Sequence, residues 1–233
     1  MVPAIRNLRA GSAKEFCELL ETFLSSRAVR SLQTANEAVL QGIVELLLDE
    51  PSNRVPELRL VVDGSKEIGD GRFGFVDVFI PRQAMATGDD QTCIVMEHKN
   101  ATLEGLWKGA SSQKPNYNDL ESLHEALRYE NEDALHARKY VYKSQGDGRL
   151  VSTTLKSIME GGLQQLRQYM RIIALGKVRS YRDSGVLDSR VNIDIGLDDL
   201  QGYVVMAIGG ARVLMRSEEC VQTQCEYVKA IQF

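Results

Sequence analysis

The chain has 233 residues, a mass of 26.0 kDa and a formal net charge of −4 at pH 7. Its composition, 43% hydrophobic and 26% charged, excludes a disordered tail, a collagen-like repeat and a coiled-coil rod. No apolar run approaches the ~20 residues that cross a bilayer, and no secretory signal is visible. We therefore expect an intracellular protein, cytoplasmic or nuclear, with no membrane partner. One domain over residues 1–233 fits this length, although the abrupt helical start would also fit a fragment of a longer protein.

Two capping boxes predict the first helices. Ser12 and Glu15 are spaced so that each side chain closes a free backbone N–H, and apolar residues at helical spacing follow. Thr34 and Glu37 form the second box, and Pro51 ends the helix that they open.

Three strands are predicted next, over residues 58–62, 75–80 and 92–99. Between the first two, Gly69, Gly71 and Gly74 match the GxGxxG pattern of dinucleotide-binding proteins. That function needs a helix directly after the last glycine, whereas the residues after Gly74 predict a strand. A small-molecule α/β protein that uses this turn is thus an alternative that a helix after Gly74 would support.

The second half of the chain predicts more helices and a final hairpin. Residues 100–118 are predicted to be irregular, and residues 179–200 are predicted to form a polar loop. A charged helix is expected over residues 119–142, and its His124 and His136 are expected to be solvated. A further helix is expected over 153–175, with Gly176 as its C-terminal glycine, and Gly209-Gly210 predicts a hairpin. This order favours a mixed α/β domain whose sheet lies between helices.

Three ionisable residues stand out in the predicted strands. Asp77 alternates with apolar residues, where a carboxylate is unfavourable unless it is paired or binds a metal. Glu97 and Lys99 end the next apolar strand and, two residues apart, point to the same face. If the strands are neighbours, these groups converge into an oxygen site suited to Mg²⁺. A buried ion pair between adjacent strands is the structural alternative.

Residues 138–182 carry ten basic and two acidic residues, a net charge of +8, so the rest of the chain carries −12. A basic stripe on an acidic protein fits phosphate binding, and a solvated basic face is the alternative. The stripe supplies five candidate nucleic-acid-binding residues: Arg167, Arg171, Lys177, Arg179 and Arg182.

These motifs together resemble the PD-(D/E)XK nuclease superfamily, and its branch found with AAA-ATPase-like proteins in particular. The resemblance rests on Asn36-Glu37 at a helix start, on Gly74-Phe-Val-Asp77, on Glu97-His-Lys99, on Gly162-Leu-Gln-Gln165 and on the terminal hairpin. It spans roughly residues 12–216. Val76 replaces the proline of the family name, Gly162 stands where alanine is usual, and residues 105–152 form an insertion with a charged helix.

The resemblance implies a restriction-endonuclease-like fold, with a central mixed sheet flanked by helices, and a metal-dependent endonuclease. Asp77, Glu97 and Glu37 would be the metal ligands, Lys99 would position the attacking water, and Gln165 would reach toward the site. Mg²⁺ is the expected metal, with Mn²⁺ as a substitute, and DNA is the expected substrate. A homodimer is compatible with such a nuclease. The alternative is the same fold without catalysis, binding nucleic acid or a protein partner.

Overall fold

A six-stranded sheet organises the part of the chain that the computed structural model describes. The described residues are 3–26, 36–48, 54–82, 91–110, 113–144, 148–180 and 182–230. In chain order their elements are α1 (Pro3–Arg9), α2 (Lys14–Ser25), α3 (Glu37–Leu47), β1 (Val55–Val61), β2 (Phe73–Ile80), β3 (Thr92–Ala101), α4 (Leu103–Ala110), α5 (Tyr117–Tyr129), α6 (Glu132–Ala137), β4 (Lys139–Lys143), β5 (Leu150–Thr154), α7 (Leu155–Ala174), β6 (Gly185–Val186), β7 (Val191–Ile195), β8 (Asp199–Ile208), β9 (Arg212–Gln222) and β10 (Cys225–Lys229).

The sheet has the strand order β6-β1-β2-β3-β8-β9. Neighbouring strands are antiparallel except β3 and β8, which run parallel over ten residue pairs from Thr92–Asp199 to Ala101–Ile208. The predicted mixed α/β architecture, with a sheet flanked by helices, is confirmed. Strand β3 lies inside the sheet and is buried from Thr92 to His98, which explains why its sequence is apolar on both faces.

Helices cover both faces of the sheet with separate apolar clusters. Helix α7 packs Leu166 and Ile173 against Val95 and Val204 on one face. On the other face, α1, α2 and α3 pack residues such as Phe16 and Val44 against strand residues that include Met96, Val205 and Ile94. Odd and even residues of β3 therefore enter different cores, as the two-residue period of a strand requires.

The capping box predicted at Ser12 is wrong. Helix α2 begins at Lys14, and its N-cap Ala13 has α-helical backbone angles and makes no side-chain capping bond. A serine cap needs an extended N-cap residue, and Glu15 instead accepts a hydrogen bond from Asn7 in α1. At the second helix the cap is Asn36, whose side chain accepts a hydrogen bond from the Val39 N–H at 3.1 Å. Thr34 and Pro51 lie outside the described residues.

The charged helix predicted over residues 119–142 is also wrong in extent. It is divided into α5 and α6, since Asn131 caps a new helix by accepting a hydrogen bond from the Ala134 N–H. The chain then turns into β4, which pairs with β5 as a two-stranded hairpin. His124 is buried, with its Nδ1 3.2 Å from the Gly209 carbonyl, so it is not a solvated histidine.

Two further predictions on loops are corrected. The stretch predicted as irregular contains α4, and the predicted polar loop over 179–200 contains β6 and β7. Strand β7 pairs with β10 from the far end of the chain, so its partner could not be seen locally.

The glycine predictions agree with the backbone. Gly176 has φ +80 directly after the α7 C-cap, and Gly209 and Gly210 both have positive φ in the β8–β9 turn. Gly69 and Gly71 also have positive φ and form a turn. Strand β2, not a helix, follows that turn, so the dinucleotide-binding alternative lacks the helix N-terminus that it requires.

Candidate active site

Asp77 and Glu97 lie where β2 and β3 separate. The ladder between these strands consists of three residue pairs, and the last of them is Val78–Met96. Asp77 and Glu97 are the next residue on each strand, so their side chains lie beside a gap in the sheet. One oxygen each from Asp77, Glu97 and Glu37 lie within 4.8 Å of one another. Asp77 and Glu97 converge as their strand positions predicted, and Glu37, placed with them only by the resemblance, lies beside them.

Glu37 reaches this gap from the first turn of α3. Asn36 caps the helix, and Glu37 is its first residue, so the carboxylate projects from the helix start toward the strands. One turn further on, Gln41 donates a hydrogen bond from Nε2 to the Asp77 carbonyl at 3.0 Å. This bond fixes α3 on the strand segment that carries Asp77.

Asp77 is held by a backbone hydrogen bond. Its Oδ2 accepts the His98 N–H at 2.6 Å. Burial raises the pKa of Asp77 to about 6, although the His98 bond and Lys99 oppose that rise. Nearby Glu37 and Glu57 raise the pKa further.

Glu97 is the most deeply placed carboxylate, with 2% of its surface exposed. Burial and then the charge of Asp77 raise the pKa of Glu97 to about 8. Its Oε1 accepts a hydrogen bond from Lys99 at 2.7 Å. Its Oε2 is buried and has no hydrogen-bond partner among the described residues, an uncommon state for a polar atom inside a protein.

Lys99 contacts two of the three carboxylates. Its Nζ lies 2.7 Å from Glu97 Oε1 and 3.2 Å from Glu37 Oε1. Burial alone would lower the pKa of Lys99, but the charges of Glu97 and Glu37 outweigh it and raise the pKa. Lys99 is therefore an ammonium at neutral pH, a donor of hydrogen bonds and not a base.

The carboxylates fit a hard divalent cation. Mg²⁺ takes oxygen ligands at about 2.0–2.1 Å, so opposite ligands lie about 4.2 Å apart. The three oxygens lie within 4.8 Å of one another, so they could hold one such ion. A bound cation would give Glu97 Oε2 the partner that it lacks among the described residues, and it would reduce the repulsion between the three carboxylates.

A cleft of about 700 Å³ opens above these residues. Glu37, Lys99 and Gln165 line it, whereas Asp77 and Glu97 are not among its lining residues. Gln165 donates from Nε2 to the Tyr169 hydroxyl at 3.1 Å. The other lining residues come from the helix start, the end of β3, the β4–β5 hairpin and α7: Asn36, Asn100, Thr102, Tyr140, Tyr142, Lys143, Thr153, Ser157, Ile158, Gly161 and Gly162.

The close approach of α7 to Lys99 depends on Gly162. A Cβ at this position would lie 2.9 Å from Val204 Cγ1 and 3.4 Å from Lys99 Cγ. The missing side chain at Gly162 thus lets the helix pass directly over the lysine.

The five basic candidates are not among the residues that line the cleft. Arg167 forms an ion pair with Glu218 on β9 at 2.6 Å, and Arg182 lines a different depression with Lys66 and Arg72. Arg171, Lys177 and Arg179 are exposed. Arg167 and Gln165 are two residues apart on a helix, which directs their side chains to different sides. Nucleic-acid binding by these five residues stays a prediction.

Sequence analysis missed several residues around the site. Gln41 and the backbone of His98 hold Asp77, and Tyr140 and Tyr142 line the cleft. The alternation of Tyr140 and Tyr142 is a strand signal that was obscured by the charged residues before it. No sequence pattern predicts the role of Gln41, because its hydrogen bond to Asp77 depends on how α3 packs against β2.

Comparison with known proteins gives no relatives: no family model, no curated protein and no solved structure matches this chain. Among the helices of the described residues, none combines the length and apolar character of a membrane span.

Proposed function

We propose that this protein is a Mg²⁺-dependent endonuclease of the PD-(D/E)XK type that hydrolyses phosphodiester bonds in DNA. One observation carries the proposal: Glu37, Asp77, Glu97 and Lys99 converge at the point where β2 and β3 separate. The order of these residues along a helix, a strand and the next strand supports a restriction-endonuclease-like arrangement. Four functional groups from three elements are hard to explain as one structural ion pair.

The three carboxylates would hold the cation, which supplies a Lewis acid for the phosphate and lowers the pKa of a bound water. Glu97 would contribute Oε2, which accepts no hydrogen bond from any part of the chain that the structure describes. Asp77 would contribute its second oxygen, since Oδ2 accepts the His98 N–H. Glu37 projects from a helix start and completes or adjusts this set. Mn²⁺ has the same preference for oxygen ligands and would substitute for Mg²⁺.

Lys99 would act as a fixed positive charge. Its ammonium donates hydrogen bonds to Glu97 and Glu37. An ammonium has three N–H donors, so the third would orient the attacking water or a phosphate oxygen. During attack, negative charge grows on the phosphoryl oxygens, and a preorganised cation stabilises it more than it stabilises the bound substrate. Gln165, on the cleft wall, would hydrogen-bond the strand beside the site.

DNA binding outside the cleft would involve the five basic candidates. Arg171, Lys177 and Arg179 are exposed and belong to the segment of net charge +8. Contacts between such residues and flanking phosphates position a duplex or strand without reading its sequence, and they weaken with salt.

The function is tested by incubating the protein with supercoiled plasmid, single-stranded DNA and RNA, each in Mg²⁺, Mn²⁺ or EDTA. We expect DNA cleavage in both metals and none in EDTA. Binding of DNA without cleavage in either metal would favour the alternative of a nuclease-fold binding module. Cleavage of RNA alone would support the proposed nuclease chemistry but show that the substrate is RNA and not DNA.

A further inference from the structure

Two tyrosines of β4 form a stacked pair on one face of the β4–β5 hairpin. The rings of Tyr140 and Tyr142 have centroids 6.0 Å apart and an interplanar angle of 20°. Tyr140 is the fixed member, with 8% of its surface exposed. A Cβ on Gly105 would lie 2.2 Å from Tyr140 Cε2, so α4 packs tightly against this ring. The Tyr140 hydroxyl also accepts a hydrogen bond from the Thr102 N–H at 3.4 Å.

Tyr142 is the open member of the pair. It is 42% exposed, although it is a large aromatic residue, and it lines the same cleft as Lys99 and Glu37. Lys143, the next residue, lines the cleft too. The charged residues that line the cleft are Glu37, Lys99 and Lys143; Lys99 is paired with carboxylates, so Lys143 is the positive charge beside the ring that a phosphate can approach.

Helix α7 also lines the cleft, and Gly161 and Gly162 are adjacent there. Adjacent glycines inside a helix are unfavourable relative to alanine, because the unfolded chain gains backbone freedom. A Cβ on Gly161 would meet no atom within 4 Å, so packing does not require this glycine. The glycine instead leaves this part of the cleft lining without a side chain.

We propose that the ring of Tyr142 stacks on the base of one unpaired nucleotide, with Lys143 near its phosphate, so that the preferred substrate is single-stranded DNA or an unpaired strand end. Stacking on a tyrosine needs a base with a free face. Inside a duplex, both faces of a base are covered by its neighbours, and exposing one requires the base to leave the stack. This assignment rests on the proposed nuclease function and names the form of DNA that the site accepts. The hairpin belongs to the segment that departs from the family core.

Binding can be measured separately from cleavage by working in EDTA, where no strand is cut. Fluorescence anisotropy would give the affinity of a fluorescein-labelled 12-nucleotide single strand and of the corresponding duplex at low salt. The variants are Tyr142→Ala, Tyr142→Phe, which keeps the ring, and Tyr129→Ala as a matched control. Tyr129 is 84% exposed at the end of α5 and does not line the cleft. A 2-aminopurine base in the strand would report stacking by its quenched fluorescence.

We expect the single strand to bind more tightly than the duplex. Tyr142→Ala should weaken single-strand binding on the order of 10-fold, the effect of losing one aromatic stacking contact, and should abolish the quenching. Tyr142→Phe and Tyr129→Ala should behave as wild type. Equal affinity for the two DNA forms, no binding of the single strand, or wild-type quenching by Tyr142→Ala would each overturn the assignment. Loss of metal-dependent cleavage with this binding pattern intact would count against the nuclease function only.

Discussion

The two adjacent glycines of α7 give opposite predictions for the same substitution. Gly161→Ala adds a Cβ that meets no atom within 4 Å. Alanine is favoured over glycine inside a helix by about 0.5–1 kcal/mol, so the free energy of unfolding should rise by that amount. Gly162→Ala has the same favourable helix propensity, but its Cβ would lie 2.9 Å from Val204 Cγ1. Val204 is fully buried in the central sheet.

Relieving that contact at Gly162 means shifting a packed strand or the lysine beside it. Forcing extra atoms into a packed core costs about 1–3 kcal/mol, which leaves Gly162→Ala destabilised by roughly 0–2.5 kcal/mol, with a central value of about 1 kcal/mol, after the helix gain. For a chain of this length, 1 kcal/mol shifts the midpoint of thermal unfolding by about 2–4 °C. Circular dichroism melts of both variants in EDTA should therefore move in opposite directions. An equal rise in both midpoints would refute the close approach of α7 to Val204 and Lys99.

The remaining predictions concern the buried groups of the site. Because the pKa values of Asp77 and Glu97 are raised to about 6 and about 8, a binding cation must displace protons, so Mg²⁺ affinity should rise between pH 6 and pH 8.5. Calorimetry in two buffers of different ionisation enthalpy would detect the released protons, and a pH-independent affinity would contradict the assignment. A raised carboxyl pKa also means that the folded state keeps a proton which the unfolded state has lost, so the metal-free protein should lose stability as pH rises from about 4.5 to 8. Glu97→Gln should reduce that loss in denaturant titrations, and an unchanged pH slope would argue against a protonated Glu97. His98 is buried, and neither ring nitrogen has a hydrogen-bond partner among the described residues, although Nδ1 lies 3.7 Å from Asp77 Oδ2. His98→Leu should therefore leave the melting midpoint unchanged or higher. A lower midpoint would reveal a stabilising contact of the imidazole.

The convergence of Asp77, Glu97 and Lys99 could be predicted because it follows from local rules, whereas Glu37 was placed there only by the resemblance. Glu97 and Lys99 share a face by strand alternation, and consecutive apolar strands often pair. Asp77 then falls beside Glu97, as the register ending at Val78–Met96 shows. The Gly209-Gly210 hairpin and the C-terminal glycine at Gly176 were equally local signals.

Contacts between distant parts of the chain could not be predicted in this way. Strand β7 pairs with β10 across an intervening hairpin, and neither sequence indicates its partner. The basic stripe was defined by position along the chain, but a helix directs Arg167 and Gln165 to different sides. The ion pair of Arg167 with Glu218 depends on a strand 51 residues later. The net charge of a segment thus does not show which way its side chains point, because that depends on the fold.

The most direct measurement of the central claim is DNA cleavage by Lys99→Ala in Mg²⁺, with binding measured in parallel. Lys14→Ala is the matched control, since Lys14 is an exposed lysine on α2 whose side chain is 81% accessible. Removing one electrostatic contact to the transition state costs on the order of 10² to 10³ in rate, whereas affinity is spread over many phosphate contacts. We expect Lys99→Ala to lose cleavage by that factor and keep most of its DNA affinity, with Lys14→Ala unchanged in both. Cleavage by Lys99→Ala at the wild-type rate, in a preparation free of contaminating nuclease, would contradict the proposed function.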